Sequence, residues 1–221
     1  MANLIITIDG PAASGKSTVA RLVAERLGAG FLDTGAMYRA VTLAAVQEGA
    51  DLTNEQELLA VMDRSRFEFA MREGKTVVKV DGVDVSGKIR DLQLTANAKY
   101  AASAPRVRER LVRMQREIAA NHRAIVTEGR DQGTVAFPDA SIKFYLTAEP
   151  KERARRRHAE FGTKESLAQV RQAIEERDRS DESRPVGPLR PADEAIVVDS
   201  THLSIDEVVE KLILHIKERC S

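Results

Sequence analysis

The chain contains no tryptophan, one cysteine and few aromatic residues, 4% of its 221 positions. Scarce aromatic rings leave little of the stacking platform that holds single-stranded nucleic acid. Cys220, next to the last residue, has no partner for an internal disulfide, which fits a reducing, cytoplasmic setting. An excess of one charge sign is also missing, since 34 Lys and Arg balance 34 Asp and Glu. No overall attraction to nucleic acid or to a membrane surface follows. No apolar run approaches the roughly 18 residues of a membrane span, and no basic segment leads into an apolar stretch at the N-terminus. The four histidines, His122, His158, His202 and His215, lack metal-ligand spacing. The expectation is a soluble, unprocessed, cytoplasmic monomer without nucleic-acid or membrane partners. Its 43% apolar residues suffice for a real core.

Against these absences stands one strong motif. Residues 10 to 17 read Gly10-Pro11-Ala12-Ala13-Ser14-Gly15-Lys16-Ser17 and continue into Thr18. They follow the apolar run Leu4–Asp9 and precede a helical pattern up to Leu27, so strand, glycine-rich turn and helix come in the order a phosphate-binding loop requires. Gly10 and Gly15 permit the tight path that turns successive amides inward, and the helix N-terminus adds partial positive charge. Lys16 supplies a full charge for the β- and γ-phosphates of a nucleotide, and Ser17 a hydroxyl for Mg²⁺.

Apolar runs at 4–8, 31–33, 125–127, 142–146 and 196–198 read as buried parallel strands separated by helices, giving an α/β fold. Ligands on such sheets bind at the carboxyl ends of the strands. That rule selects the phosphate loop, Asp33-Thr34-Gly35 and Glu128-Gly129-Arg130-Asp131. Residues 67–71, 77–80 and 83–85 break the pattern, with turns at Glu73-Gly74-Lys75 and Asp81-Gly82. They read as a small antiparallel meander within an inserted subdomain, residues 63–103. A helix over 106–120 should bury Val107, Leu111, Met114 and Ile118. A charged helical region spans 151–180, interrupted near Phe161-Gly162-Thr163. Ser204 and Glu207 form a capping box for a last helix, with Ile205, Val208, Val209, Leu212 and Ile216 facing the core.

A phosphate loop names a nucleotide-binding class and leaves the reaction open among a small-molecule kinase, a GTPase switch and a mechanical ATPase or binding module. The guanine-reading Asn-Lys-x-Asp segment of a GTPase is absent, and the chain is too short for a multidomain motor. Arg39, Arg108, Arg130, Arg153, Arg156, Arg157, Arg177 and Arg184 lie near the segments singled out, which favours the kinase. Phosphoryl transfer spreads negative charge over equatorial oxygens, and the guanidinium fork suits phosphate. Leu167, Val170 and Ile174 form a helical stripe that Arg177, Asp181 and Arg184 continue. Charged groups in line with a buried face need a ligand, or the helix ends before them.

The phosphate loop, Leu32-Asp33-Thr34-Gly35-Ala36-Met37-Tyr38-Arg39, Asp84-Val85-Ser86-Gly87-Lys88-Ile89-Arg90, Glu128-Gly129-Arg130-Asp131-Gln132-Gly133-Thr134-Val135 with Phe137-Pro138, and Glu176-Arg177-Asp178 together resemble the bacterial cytidylate kinases over essentially the whole chain. The resemblance implies a P-loop parallel sheet flanked by helices, with a helical lid near 151–164. It makes 1–62 and 104–221 the kinase core and 63–103 the nucleoside-monophosphate-binding insert. It implies transfer of the γ-phosphoryl group of ATP, with Mg²⁺, to CMP or dCMP. It implies donor contacts from residues 10–18, with Arg153 and Arg157 closing over ATP from the lid. Thr34, Tyr38, Arg39, Arg108, Arg130, Asp131, Asp181 and Arg184 are implied at the acceptor nucleotide. Lys16, Arg130, Asp131 and Arg184 are the expected catalytic set, acting by in-line transfer without a covalent intermediate. Two departures stay open. A cytosine-contacting serine common in the family falls here at Lys99 or Tyr100, with Ser103 near. The acid before Gly129 is Glu128, where aspartate is common.

Overall fold

The opening apolar run becomes the centre of a sheet. In chain order the elements are β1 (Leu4–Asp9), α1 (Lys16–Leu27), β2 (Gly30–Asp33), α2 (Thr34–Gln47), α3 (Glu55–Arg64), β3 (Phe67–Arg72), β4 (Lys75–Val80), β5 (Val83–Asp84) and α4 (Leu92–Ser103). There follow α5 (Pro105–Ala120), β6 (Ala124–Gly129), β7 (Ile142–Thr147), α6 (Pro150–Phe161), α7 (Leu167–Glu182), β8 (Ile196–Asp199) and α8 (Ile205–Cys220). This computed structural model describes residues 4–72, 75–161 and 166–220. The expected turn at Glu73-Gly74 and the helix interruption at Gly162-Thr163 lie outside the described residues.

Five strands form a parallel sheet in the order β2-β6-β1-β7-β8. Helices cover both faces, so the central strands are buried on both sides and need not alternate. Ile6, Ile8, Val126, Phe144 and Leu146 pack with Val19 and Val23 of α1 and Val208 and Leu212 of α8. The register places Asp9 beside Gly129 and Asp33 beside Glu128, so the functional ends of β1, β2 and β6 share one edge.

The second sheet is the antiparallel meander β3-β4-β5. Its turn residues Asp81 and Gly82 both have positive φ, 51° and 80°, as a two-residue hairpin turn of this hand requires. The meander does not build a core of its own. Val78, Val80, Val85, Ile89 and Leu94 join the same buried cluster as Met37 and Val41 of α2, Leu58 of α3 and Leu111 of α5. Of the expected face of α5, Val107 and Leu111 are fully buried, while Met114 and Ile118 pack against the cluster from its margin.

Two apolar expectations fail. Leu167 and Ile205 are exposed, because each opens its helix immediately after a capping serine and its side chain precedes the packed turns. The capping box at Ser204 and Glu207 is present, with the Ser204 amide donating to Oε2 at 2.8 Å and the Glu207 amide to Oγ at 3.3 Å. The buried stripe of α7 is Val170, Ile174, Asp178 and Asp181, so α7 carries two carboxylates inward and ends before Arg184.

Candidate active site

The loop between β1 and α1 is held from below by its backbone. Gly10 passes so close to the Leu146 carbonyl that a Cβ there would overlap it. Gly15 starts α1 at φ 89°, with no side chain capping the helix, so the first amides of α1 remain for a ligand. Asp178 Oδ1 accepts the Ala12 amide at 2.9 Å. Arg153 donates to Ala12 O at 3.1 Å and to Ala148 O at 3.0 Å, and it also pairs with Asp178. Arg156 reaches Ser14 O at 3.4 Å and Ser200 O at 2.6 Å. Arg153 was expected over ATP; it lies instead beneath the loop, buried and committed to protein partners, because the buried Ala12 amide and carbonyl need them. Ser17 and Thr18 stay exposed at the head of α1.

Lys16 is buried and donates to Pro11 O at 3.1 Å. Burial first, and then the nearby Arg130 charge, push its pKa down to about 7. The site therefore holds an ammonium group short of negative charge, the condition an anionic ligand relieves.

Glu128 acts on this lysine, and Asp33 lies beside Glu128. Asp33 caps α2 by accepting the Ala36 amide at 2.9 Å and pairs with Arg39 at 3.0 Å. Burial works to raise its pKa, but Arg39 and the Ala36 amide outweigh it and hold Asp33 ionised below the usual range. Glu128 accepts the Ser17 hydroxyl at 2.9 Å. Its pKa is raised, by burial first and then by the neighbouring Asp33 charge. A hydroxyl and carboxylate oxygens beside a phosphate loop are the hard donors that suit Mg²⁺, which keeps several waters and takes few protein ligands.

Arginines line the rest of the edge. Arg130 donates to Asp181 Oδ2 at 2.7 Å, and Arg184 lies 3.5 Å from Asp181 Oδ1. Arg108, only 2% exposed, pairs with Asp131, donates to Ala102 O at 3.1 Å and lies over the Tyr38 ring at 5.6 Å. Thr34 donates its hydroxyl to Glu128 O at 2.7 Å. Arg177 has its pKa lowered to about 10 by burial first and then by Arg130, with Arg157 and Arg39 acting the same way. Arg39, Arg130 and Arg157 thus gather near Arg177 at this edge of the sheet.

The sequence profile described as "Cytidylate kinase" matches residues 6–218. The chain belongs to the cytidylate kinase family. A protein named cytidylate kinase from Rhodopirellula baltica is 47% identical over 97% of this chain and 93% of its own length. One of that name from Anoxybacillus flavithermus is 43% identical over 97% of this chain and 96% of its own length. Among solved structures, TT1252 from Thermus thermophilus shares the fold at TM-score 0.51 and 21% identity, covering 100% of both chains. A gluconokinase from Sinorhizobium meliloti shares it at TM-score 0.52 and 14% identity, covering 98% of this chain and 94% of its own. The chain is thus a phosphotransferase of the nucleotide kinases, built on a parallel sheet.

Two residues of this cytidylate kinase site, Asp9 and Asp178, receive no role from the sequence. Asp9 ends β1 and accepts the Gln132 and Gly133 amides at 2.9 and 2.8 Å, tying the loop to the turn after β6. Its sign is an acid closing an otherwise apolar strand. Asp178 extends the true stripe of α7 four residues beyond Ile174. Arg177, which the sequence places among the arginines near the loop, stands beside it and feels the charges of Arg130, Arg157 and Arg39.

Proposed function

We propose that this member of the family transfers the γ-phosphoryl group of ATP to CMP or dCMP, yielding ADP and CDP or dCDP. The observation that carries the reading is the gathering of Arg39, Arg130 and Arg157 around Arg177, with Arg130 and Arg177 also acting on the lysine of the phosphate loop. Guanidinium groups gathered beside a phosphate loop suit two phosphorylated ligands, because the planar fork matches phosphate oxygens. The names of the relatives point the same way.

The loop amides and Lys16 hold the donor phosphates. Ser17 and Glu128 are the residues that would hold Mg²⁺, with Asp33 beside them; when bound, the ion neutralises charge on the β- and γ-phosphates. Arg39 and Arg130 hold the acceptor phosphate, and Arg184 with Asp181 orients Arg130 beside it. The acceptor needs no general base, because its phosphate already carries nucleophilic oxygens. Transfer is in line, and catalysis is positioning plus electrostatic stabilisation of the transferring group by Lys16 and the arginines. Arg157 of α6 closes over ATP, while Arg153 secures the loop from below. Asp131, buried and held by Arg108, offers an acceptor to the C4 amino group of cytosine where the uracil carbonyl would find none. The segment 63–103 serves as the acceptor-binding insert. The setting is the cytoplasm, with the chain acting as a monomer.

The test is label transfer. With [γ-³²P]ATP and CMP, the label should appear in CDP; label found only in inorganic phosphate would mean an ATPase and would remove the proposal.

A further inference from the structure

β2 is the edge strand of the parallel sheet, and only β6 pairs with it there. Residues two apart in a strand turn their backbone groups to the same side. The Phe31 carbonyl and Asp33 amide therefore both face the open edge, where unpaired groups are costly or invite unwanted pairing. One side chain answers both. The Thr76 hydroxyl of β4 accepts the Asp33 amide at 3.0 Å and donates to Phe31 O at 3.0 Å. It stands in for a sixth strand at a single point.

The partner of Thr76 across the β3–β4 pair is Met71. Their side chains lie on the same face of the meander, and Met71 packs against Gly30, the first residue of β2, where a Cβ would overlap its sulfur. The meander is thus docked at both ends of β2. At the Thr76 end the contact meets a residue with two commitments. The Asp33 backbone is fixed by Thr76, while its carboxylate caps α2 and pairs with Arg39 at 3.0 Å.

We infer that Thr76 is a positioning residue for acceptor binding, coupling the placement of the meander to Asp33 and through it to Arg39. Without the hydroxyl, the Asp33 amide and Phe31 carbonyl lose their shared partner. The end of β2 loosens, and the guanidinium that Asp33 holds is no longer fixed. The donor loop is braced separately by Arg153, Arg156 and Asp178, and the ion pair of Asp33 is with Arg39, so the lesion falls mainly on the acceptor side. This deepens the proposed function and rests on CMP being the acceptor.

The test compares wild type with Thr76→Val and Thr76→Ala, which remove the hydroxyl, and with Thr76→Ser, which keeps it. Backbone amide exchange at Asp33 is measured without nucleotide, and KM for CMP and for ATP by coupled assay. In the Val and Ala variants, exchange at Asp33 should accelerate and KM for CMP rise by about tenfold, the scale of one lost hydrogen bond. KM for ATP should stay within about twofold, and Ser should restore both readouts. Met71→Leu, which keeps an apolar contact and touches no hydrogen bond, should behave as wild type. Unchanged protection of Asp33, equal shifts in both KM values, or failure of Ser to restore them would each overturn the inference. A wild type that does not phosphorylate CMP defeats the proposed function instead, and the exchange measurement still decides the link from Thr76 to Asp33.

Discussion

Arg153 and Asp178 form a buried ion pair beneath the phosphate-binding loop, and between them they take both backbone groups of Ala12, the carbonyl at 3.1 Å and the amide at 2.9 Å. The pair joins α6 and α7 to the loop, so loop geometry depends on two helices far from it in sequence. Asp178→Ala would leave a buried guanidinium unpaired and an amide unsatisfied. The expected cost is about 3–5 kcal/mol, a fall of roughly 6–20 °C in Tm for a chain of this size. Thermal unfolding checks it, and a change below about 1 kcal/mol would show the pair to be dispensable.

Arg130→Lys should not be conservative. Arg130 gives Nε to Asp181 at 2.7 Å and Nη1 to the Gly129 carbonyl at 3.2 Å, a spread of donors that a single ammonium cannot reproduce. KM for CMP should rise and kcat fall, together costing on the order of 10²-fold in kcat/KM, with KM for ATP little changed. Loss confined to ATP would place Arg130 at the donor.

Lys16 gives a pH-dependent signature. With a pKa near 7 in the free site, it is largely neutral at pH 8 and largely protonated at pH 6. Bound phosphate favours the ammonium and raises that pKa, so ATP binding at pH 8 should draw protons from the buffer, approaching about one per site. At pH 6 the group is already protonated and its uptake should be small. Calorimetry in buffers of different ionisation enthalpy measures this directly. Lys16→Met should abolish the uptake at pH 8 and reduce kcat by about 10²-fold or more. Proton release by the wild type at pH 8 would contradict the assignment.

The sheet was legible from the sequence because β1, β6 and β7 are short apolar runs, the first two closing at once on acid and glycine. The loop was legible because its chemistry is local. Arg153 was misplaced for the opposite reason. Its sequence neighbours Arg155, Arg156 and Arg157 suggest an exposed basic helix, and only the packing of α6 on the loop turns Arg153 inward. Asp178 was hidden in the same way, since an acid at the end of an apolar stripe has no meaning until its partner is known. The meander was recognised from Asp81-Gly82 and alternation. Its fusion with the core under α2 was not, because Val78 and Val80 meet Met37 and Val41 only in three dimensions. Deleting the meander would therefore open that core, and point changes such as Thr76→Val are the better probes.

Selectivity at the base tests the account most directly. Asp131 is held by Arg108, and in the proposed function a cytosine amino group donates to it where a uracil carbonyl cannot. An acceptor left facing that carbonyl costs about 1–3 kcal/mol, a tenfold to hundredfold effect. The decisive measurement is kcat/KM for CMP, dCMP and UMP at fixed ATP and Mg²⁺. The account predicts CMP and dCMP above UMP by at least about tenfold; equal use of CMP and UMP would contradict it.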